Sequence, residues 1–132
     1  MNRKYAPNIA EIEALANDTR MRLPPEFIEK ALEVVIRVEN LPNAVFLAEM
    51  EIEDPFELTA VYEGIPLAQK TTADQPQSPD TVFLFRRPIL DEWASRGDVS
   101  LAELVALIIV QQLSHHFNWS KSDIAEIYKW WA

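Results

Sequence analysis

The sequence predicts an α+β domain in which a small sheet of about three strands packs against five or six helices. Three observations support this fold class. The 132 residues and the 48% hydrophobic content suit one soluble domain, residues 1–132, with a single core. Three short stretches rich in β-branched or aromatic residues, at about 33–39, 57–62 and 81–86, predict strands. A longer apolar segment at 104–113 predicts a buried helix.

The first third of the chain alternates between helical and extended patterns. Apolar residues recur at helical spacing from residue 7 to about 17, and a proline pair opens a second short helix near residue 24. Residues 33–39, EVVIRVE, then predict the first strand. Residues 43–50, NAVFLAEM, predict a short helix after it.

The middle of the chain carries the other two strands and a long connection. We expect the second strand to end near Gly64, which tolerates a positive φ, and Pro66, which closes the strand. Residues 68–80 lead to the third strand as a loop that contains Pro76 and Pro79. Loops of this length in compact domains are typically functional or mobile.

Three helices are predicted in the last third of the chain. Pro88 suits the first turn of a helix that ends at Gly97. Residues 100–103, SLAE, form a capping box at the start of the apolar helix, which we expect at the centre of the core. Residues 120–123, SKSD, form a second capping box for a final helix over about 121–131.

Charge and composition exclude several classes of function. A net charge of −9 opposes binding to nucleic acid or to an anionic membrane surface. The lack of cysteine excludes a disulfide framework and a thiolate metal site. The N-terminal residues lack the apolar core of a signal peptide, and the longest apolar run, 104–110, is too short to cross a bilayer. We therefore expect a cytoplasmic location.

Two surface features suggest contact with a partner. Residues 49–57 contain five acidic residues and no base, which predicts a solvated acidic edge or, alternatively, a docking surface for a basic partner. Trp119, Trp130 and Trp131 crowd the C-terminus. We expect Trp119 and one of the other two to pack in the core, which leaves one exposed ring for a partner contact.

The segment at 111–121 reads QQLSHHFNWSK. Gln111 and His115 are four residues apart, so they lie on one face of a helix. At this spacing two histidines hold zinc in metalloproteases, and a glutamate directly after the first deprotonates the attacking water. In such sites a turn after the helix returns a third ligand.

Together with two further motifs, this segment resembles the small bacterial zincin-like family of zinc metallopeptidases, whose site pattern is HExxHxxGxxD. The further motifs are YEGIPL at 62–67 and FLFRRPIL at 83–90, in the same order along the chain. The resemblance covers most of the chain from about Phe56 onward. It implies a minimal zincin-like fold, in which a small sheet packs on helices and the motif helix is central.

The resemblance places unsuitable residues at the catalytic positions. Gln111 takes the place of the first histidine ligand, Gln112 that of the general base and Lys121 that of the third ligand, an aspartate. A carboxamide is a poor zinc donor and has no useful pKa for taking a proton. At about 4 Å and an effective dielectric constant of about 20, each unit charge repels a lysine by about 4 kcal/mol, doubled for a dication. Only His115 retains a ligand position, so we expect no metal and no cofactor.

At the structural positions of the motif, the residues differ less from the family's pattern. Asn118 replaces the family's glycine, and asparagine also tolerates the left-handed conformation that ends a helix. We expect His115 to be half-buried and hydrogen-bonded within the vestigial site. For His116 the resemblance suggests packing or a place behind the ligands, and we expect a solvated or backbone-bonded side chain. Asp123 is a further candidate for a place behind the ligands.

These observations predict a degenerate, catalytically inactive homologue that keeps a groove for a peptide or protein partner beside the edge strand. The alternative is an active zinc hydrolase in which His115 recruits other ligands, such as Asp123 or Glu126. A metal set of His115, His116 and Asp123 is disfavoured because adjacent helix residues point about 100° apart. A third alternative, a purely structural subunit, would suit the acidic edge and the tryptophans.

Overall fold

The computed structural model describes residues 6–64 and 80–132, which form six α-helices and three strands. The helices are α1 (Ile9–Met21), α2 (Pro25–Ala31), α3 (Ala44–Glu49), α4 (Arg86–Arg96), α5 (Leu101–Phe117) and α6 (Lys121–Trp131). The strands are β1 (Val35–Glu39), β2 (Ala60–Glu63) and β3 (Thr81–Phe85). The predicted α+β class is confirmed. The predicted long loop at 68–80 and the predicted strand-closing role of Pro66 fall outside the described residues, except for Asp80.

The three strands form one mixed sheet in the order β1-β3-β2. β1 pairs with β3 in parallel, with Val38 opposite Leu84. β2 pairs with β3 in the antiparallel sense, with Val61 opposite Phe83. In the part of the chain that the structure describes, β2 therefore lies at one end of the sheet.

The central strand has apolar residues on both faces, because both faces of the sheet are covered. Val82 and Leu84 belong to the main core with α1 and α5, whereas Phe83 and Phe85 pack with Phe46 of α3 in a smaller cluster. Successive side chains of a strand point to opposite faces, which explains the division. In the main core, α5 contributes fully buried side chains from Leu104 to Leu113, so its predicted central position is confirmed.

Local signals set the helix ends largely as predicted. The Ser100 hydroxyl accepts a hydrogen bond from the Glu103 amide at 3.0 Å and begins α5. Asn118 ends α5 in the left-handed conformation, with φ 54° and ψ 45°. Gly97 ends α4 at φ 69°, and Pro88 lies in the first turn of that helix. Each of these four residue roles was predicted from the sequence.

Two boundaries differ from the prediction. α1 continues to Met21, four residues beyond the predicted end. The second strand begins at Ala60 and not at Glu57, because residues Pro55–Glu57 form a 3₁₀ turn. The Asp54 carboxylate stabilises this turn by accepting a hydrogen bond from the Phe56 amide at 3.0 Å.

The predicted acidic segment is exposed in the fold, whereas the three tryptophans differ in exposure. All five acidic residues between positions 49 and 57 are exposed. Trp119 packs edge-on against Phe27 with ring centroids 5.0 Å apart, Trp131 donates a hydrogen bond to the Arg22 carbonyl at 2.9 Å, and Trp130 is 58% exposed. Within residues 6–64 and 80–132, no helix combines the length and the apolar character needed to cross a bilayer.

Candidate functional site

The last turns of α5 carry the motif residues and present them to different surroundings. Gln111 is exposed, Gln112 is half-buried, His115 is exposed and His116 is buried. The expectation that His115 is half-buried is therefore wrong. The buried stripe of the helix passes through Leu113 and His116, which are three residues apart, and His115 lies outside this stripe.

A mostly apolar cavity of about 280 Å³ lies where α5 faces the sheet. Its lining consists of Met50, Ala60, Val61, Tyr62, Gln112 and His115. Gln112 and His115 are three residues apart on the helix, so both reach one side of it. The position of the general base and the retained ligand position therefore face the same cleft, beside strand β2 and the residue that ends α3.

Two further candidate residues lie at the start of α6. Lys121 is the first residue of this helix and is exposed. The Asp123 carboxylate accepts a hydrogen bond from the Ser120 amide at 2.9 Å, while the Ser120 hydroxyl accepts one from the Asp123 amide at 3.0 Å. This is the predicted capping box. It engages the Asp123 carboxylate, which we also considered as a group behind the metal ligands.

His116 joins two other buried or half-buried side chains in a polar cluster, which we call the His116 cluster: Tyr62, Asp80 and His116. The Tyr62 hydroxyl is hydrogen-bonded to His116 Nδ1, and His116 Nε2 lies 3.4 Å from Asp80 Oδ2. His116 is only 3% exposed. The expectation of a solvated or backbone-bonded His116 is therefore wrong, because its ring is held by side chains from β2 and from the residue before β3.

The contact between His116 and Asp80 requires a hydrogen-bond donor on the histidine. A carboxylate only accepts, so an attractive contact requires a proton on His116 Nε2. Burial raises the pKa of the Tyr62 hydroxyl well above its usual range, and the charge of Asp80 and a hydrogen bond to its carboxylate raise it further. Tyr62 therefore keeps its hydroxyl proton near pH 7.

Gly64 makes room for this cluster. A Cβ atom added at Gly64 would collide with Asp80 Oδ1 and come within 2.8 Å of the Tyr62 hydroxyl. The residue also has a φ of 149°, which side chains rarely adopt. The glycine of the YEGIPL motif thus serves the packing of Tyr62 against Asp80, while the last three residues of that motif lie outside the described residues.

The zinc ion implied by the resemblance does not fit the donor atoms of these residues. Gln111 offers a carboxamide, Lys121 offers a cation, and His115 alone supplies an imidazole at a ligand position. Among residues 6–64 and 80–132, no three histidine, aspartate or glutamate side chains are grouped so that they could hold a metal ion. No catalytic step through zinc can be derived from this arrangement.

Sequence reasoning missed Met50 and Asp80 as residues of the site and named Tyr62 only as part of a motif. Met50 follows the short helix α3 and reaches the cavity through the tertiary packing. Asp80 meets His116 across 36 positions of sequence. A signal was present for Tyr62, since it begins the second motif, but no local pattern pairs Asp80 with a histidine.

Comparison with known proteins identifies the family of this chain. The family model described as zincin-like metallopeptidase matches residues 31–131, which is more than half of the chain. The match extends further towards the N-terminus than Phe56, where the resemblance of the motifs begins. A search of curated proteins found no match. On the family model, with the α+β fold and the central motif helix, this chain belongs to the zincin-like metallopeptidase family.

Proposed function

We propose that this chain is a zincin-like protein without zinc-dependent catalysis, whose cleft between β2 and α5 binds an extended peptide segment of a partner protein. The observation that carries the proposal is the cavity itself. Two motif positions, Gln112 and His115, line it together with the strand residues Ala60 to Tyr62. A concave, mostly apolar site with a few polar groups is the usual form of a ligand site.

The loss of catalysis is supported by the chemistry of three side chains. Gln112 lies in the cleft at the position of the base, and its amide cannot take a proton from water near pH 7. Gln111 and Lys121 are both exposed, and neither supplies an anionic or imidazole ligand. A peptide in this cleft would therefore meet neither a complete set of zinc ligands nor a carboxylate at the position of the base.

Peptide binding is supported by the position and polarity of β2. The Phe85 amide donates to the Thr59 carbonyl at 2.9 Å, so in this antiparallel pair Val61 is also hydrogen-bonded to β3. The amide and carbonyl of Ala60, between them, point away from β3. Extended peptides add to sheets through main-chain groups of this kind, and neighbouring pockets take alternate side chains.

Metal content tests the loss of catalysis. Protein purified without chelator, then loaded with zinc and dialysed, is expected to retain well under one zinc per chain by elemental analysis, because only His115 holds a ligand position. Retention of about one zinc per chain, with chelator-sensitive peptidase activity, would contradict the proposal. It would favour the alternative in which His115 recruits ligands such as Asp123 or Glu126.

A restored variant provides the matched control for that measurement. The triple substitution Gln111→His, Gln112→Glu and Lys121→Asp rebuilds the family's site pattern on the same backbone. We expect this variant to retain about one zinc per chain, since two imidazoles and a carboxylate complete an open zinc site. Zinc in the variant and none in the natural chain would assign the difference to these three side chains.

Titration of peptides tests the binding role. Addition of short extended peptides to ¹⁵N-labelled protein is expected to give saturable shifts at Met50 and at residues 60–62. The absence of saturable shifts with a diverse peptide library would contradict the binding role. We also expect the partner to be cytoplasmic and to be neither nucleic acid nor membrane, which co-purification from fractionated cells would check.

A further inference from the structure

Two exposed acidic residues, Glu49 and Glu51, flank a residue that lines the cleft between β2 and α5, and we call this pair the acidic rim. Met50 lines the cavity, and its neighbours Glu49 and Glu51 are both exposed. Building on the peptide-binding role proposed above, we infer that the cleft selects basic extended peptides. In such a complex an apolar side chain fills the cavity, and lysine or arginine side chains lie beside Glu49 and Glu51.

The spacing supports this assignment. Consecutive Cα atoms are about 3.8 Å apart, so both carboxylates start from backbone next to a cavity-lining residue. An extended peptide advances about 3.3 Å per residue and alternates its side chains between two faces. Long basic side chains one or two positions from the apolar anchor can therefore extend toward these acids, whose charges act over a screening length of about 8 Å at physiological salt.

The acidic rim is not neutralised within the described parts of the chain. Neither Glu49 nor Glu51 takes part in an ion pair there, and Glu63, at the end of β2, is also exposed. Arg87 lies near the acidic segment, but its guanidinium is over the Phe56 ring, 5.3 Å from the centroid. A basic peptide thus meets uncompensated negative charge, while an acidic peptide is repelled.

Three peptides that differ only in charge test the inference. Each has the pattern X-Val-X-Leu-X-Val-X with blocked ends, where X is lysine, glutamine or glutamate throughout. Fluorescence anisotropy at 50 mM and 300 mM salt is expected to give about tenfold tighter binding of the lysine peptide than of the glutamine peptide, with the glutamate peptide weakest. The preference should shrink at 300 mM salt, because these charges are exposed.

Two charge-matched double variants separate the rim from the net charge of the protein. Glu49→Gln with Glu51→Gln is expected to lower the preference for lysine over glutamine about fivefold. Glu13→Gln with Glu103→Gln removes the same charge but should leave the preference unchanged. Glu103 is nine residues from Gln112 on the same helix, about 13 Å along its axis, and Glu13 lies on α1.

A cleft-filling variant locates the binding. Gln112→Trp should abolish binding of all three peptides. If this variant loses its circular dichroism signal, His115→Trp, at an exposed position of the same cleft, should abolish the binding instead. Equal affinity for the three peptides would overturn the charge selectivity and leave peptide binding intact. Equal losses in both double variants would overturn the role of the rim. No binding by any peptide would overturn both proposals.

Discussion

His115 and His116 are neighbours on one helix and have opposite surroundings. His116 is 3% exposed, with Tyr62 at one ring nitrogen and Asp80 at the other. His115 is exposed, and its ring contacts the edge of Tyr62 with centroids 6.4 Å apart. The buried histidine links α5 to the sheet through both ring nitrogens, whereas its exposed neighbour faces the cleft and makes a ring contact with Tyr62.

The same contrast extends to the residues around the two histidines. Residues that serve packing or turns, such as Gly64 and Asn118, suit the conformations that they adopt. Residues at the chemical positions, Gln111, Gln112 and Lys121, lie at the surface or in the cleft, where a change of side chain costs the fold little. In this chain the motif thus has a structural half, which supports the fold, and a second half at the positions that the resemblance assigns to chemistry, which contributes little to the fold.

The largest expected effect comes from His116→Ala. This substitution leaves the Tyr62 hydroxyl and the Asp80 carboxylate without their histidine partner in a largely buried site. We expect the free energy of unfolding to fall by about 2–4 kcal/mol, because the variant loses two polar contacts of a buried ring and leaves a cavity in its place. Urea unfolding monitored by circular dichroism measures this loss.

His115→Ala is the matched control, since it removes the same side chain from the adjacent position. An exposed residue of this kind should change the stability by no more than about 0.5 kcal/mol. If both variants lose the same stability, the contrast between the two histidines is wrong.

Gly64→Ala should have the next largest effect. Its Cβ would collide with Asp80 and approach the Tyr62 hydroxyl, and the φ of 149° is strained for alanine. We expect a loss of about 2–3 kcal/mol in the free energy of unfolding. Gly97→Ala, at φ 69° with nothing within 4 Å of the added Cβ, should lose only about 1 kcal/mol. Equal losses would mean that the crowding at Gly64 does not contribute.

Much of the fold was predictable because its signals are local. The apolar stretch of α5, the glycine at the end of α4 and the Ser120 capping box each depend on a few neighbouring residues. The start of β2 was missed for the opposite reason. Asp54 and Pro55 favour a 3₁₀ turn over extension of the strand, and this competition depends on hydrogen bonds that composition alone does not rank.

The positions of the candidate site residues on α5 were predictable, but their burial and their contacts were not. The spacing of the motif gave the candidate positions on α5, because helical periodicity fixes which residues share a face. The exposure of His115 and the burial of His116 depend on where β2 and Asp80 lie against the helix. Those contacts join residues 36 or more positions apart, so no local pattern of sequence specifies them.

The smallest expected effect separates chemistry from stability at Lys121. This cation is the first residue of α6, where the free amides of the helix favour negative charge. Lys121→Asp restores the family's residue and should raise the free energy of unfolding by about 0.5 kcal/mol at low ionic strength, with a smaller gain in high salt. Urea unfolding at two salt concentrations measures the change.

Lys129→Asp is the control for this prediction, because Lys129 lies in the last turn of the same helix, where a cation is favourable. The same change of charge should there lower the stability by a similar amount. A gain in stability at position 121 with a loss at position 129 would mean that Lys121, at the third-ligand position, destabilises the helix. The stability of α6 would then not account for Lys121, and its role would have to be sought in the cleft or in a partner. A loss at both positions would instead give Lys121 a structural role and weaken the division between the two halves of the motif.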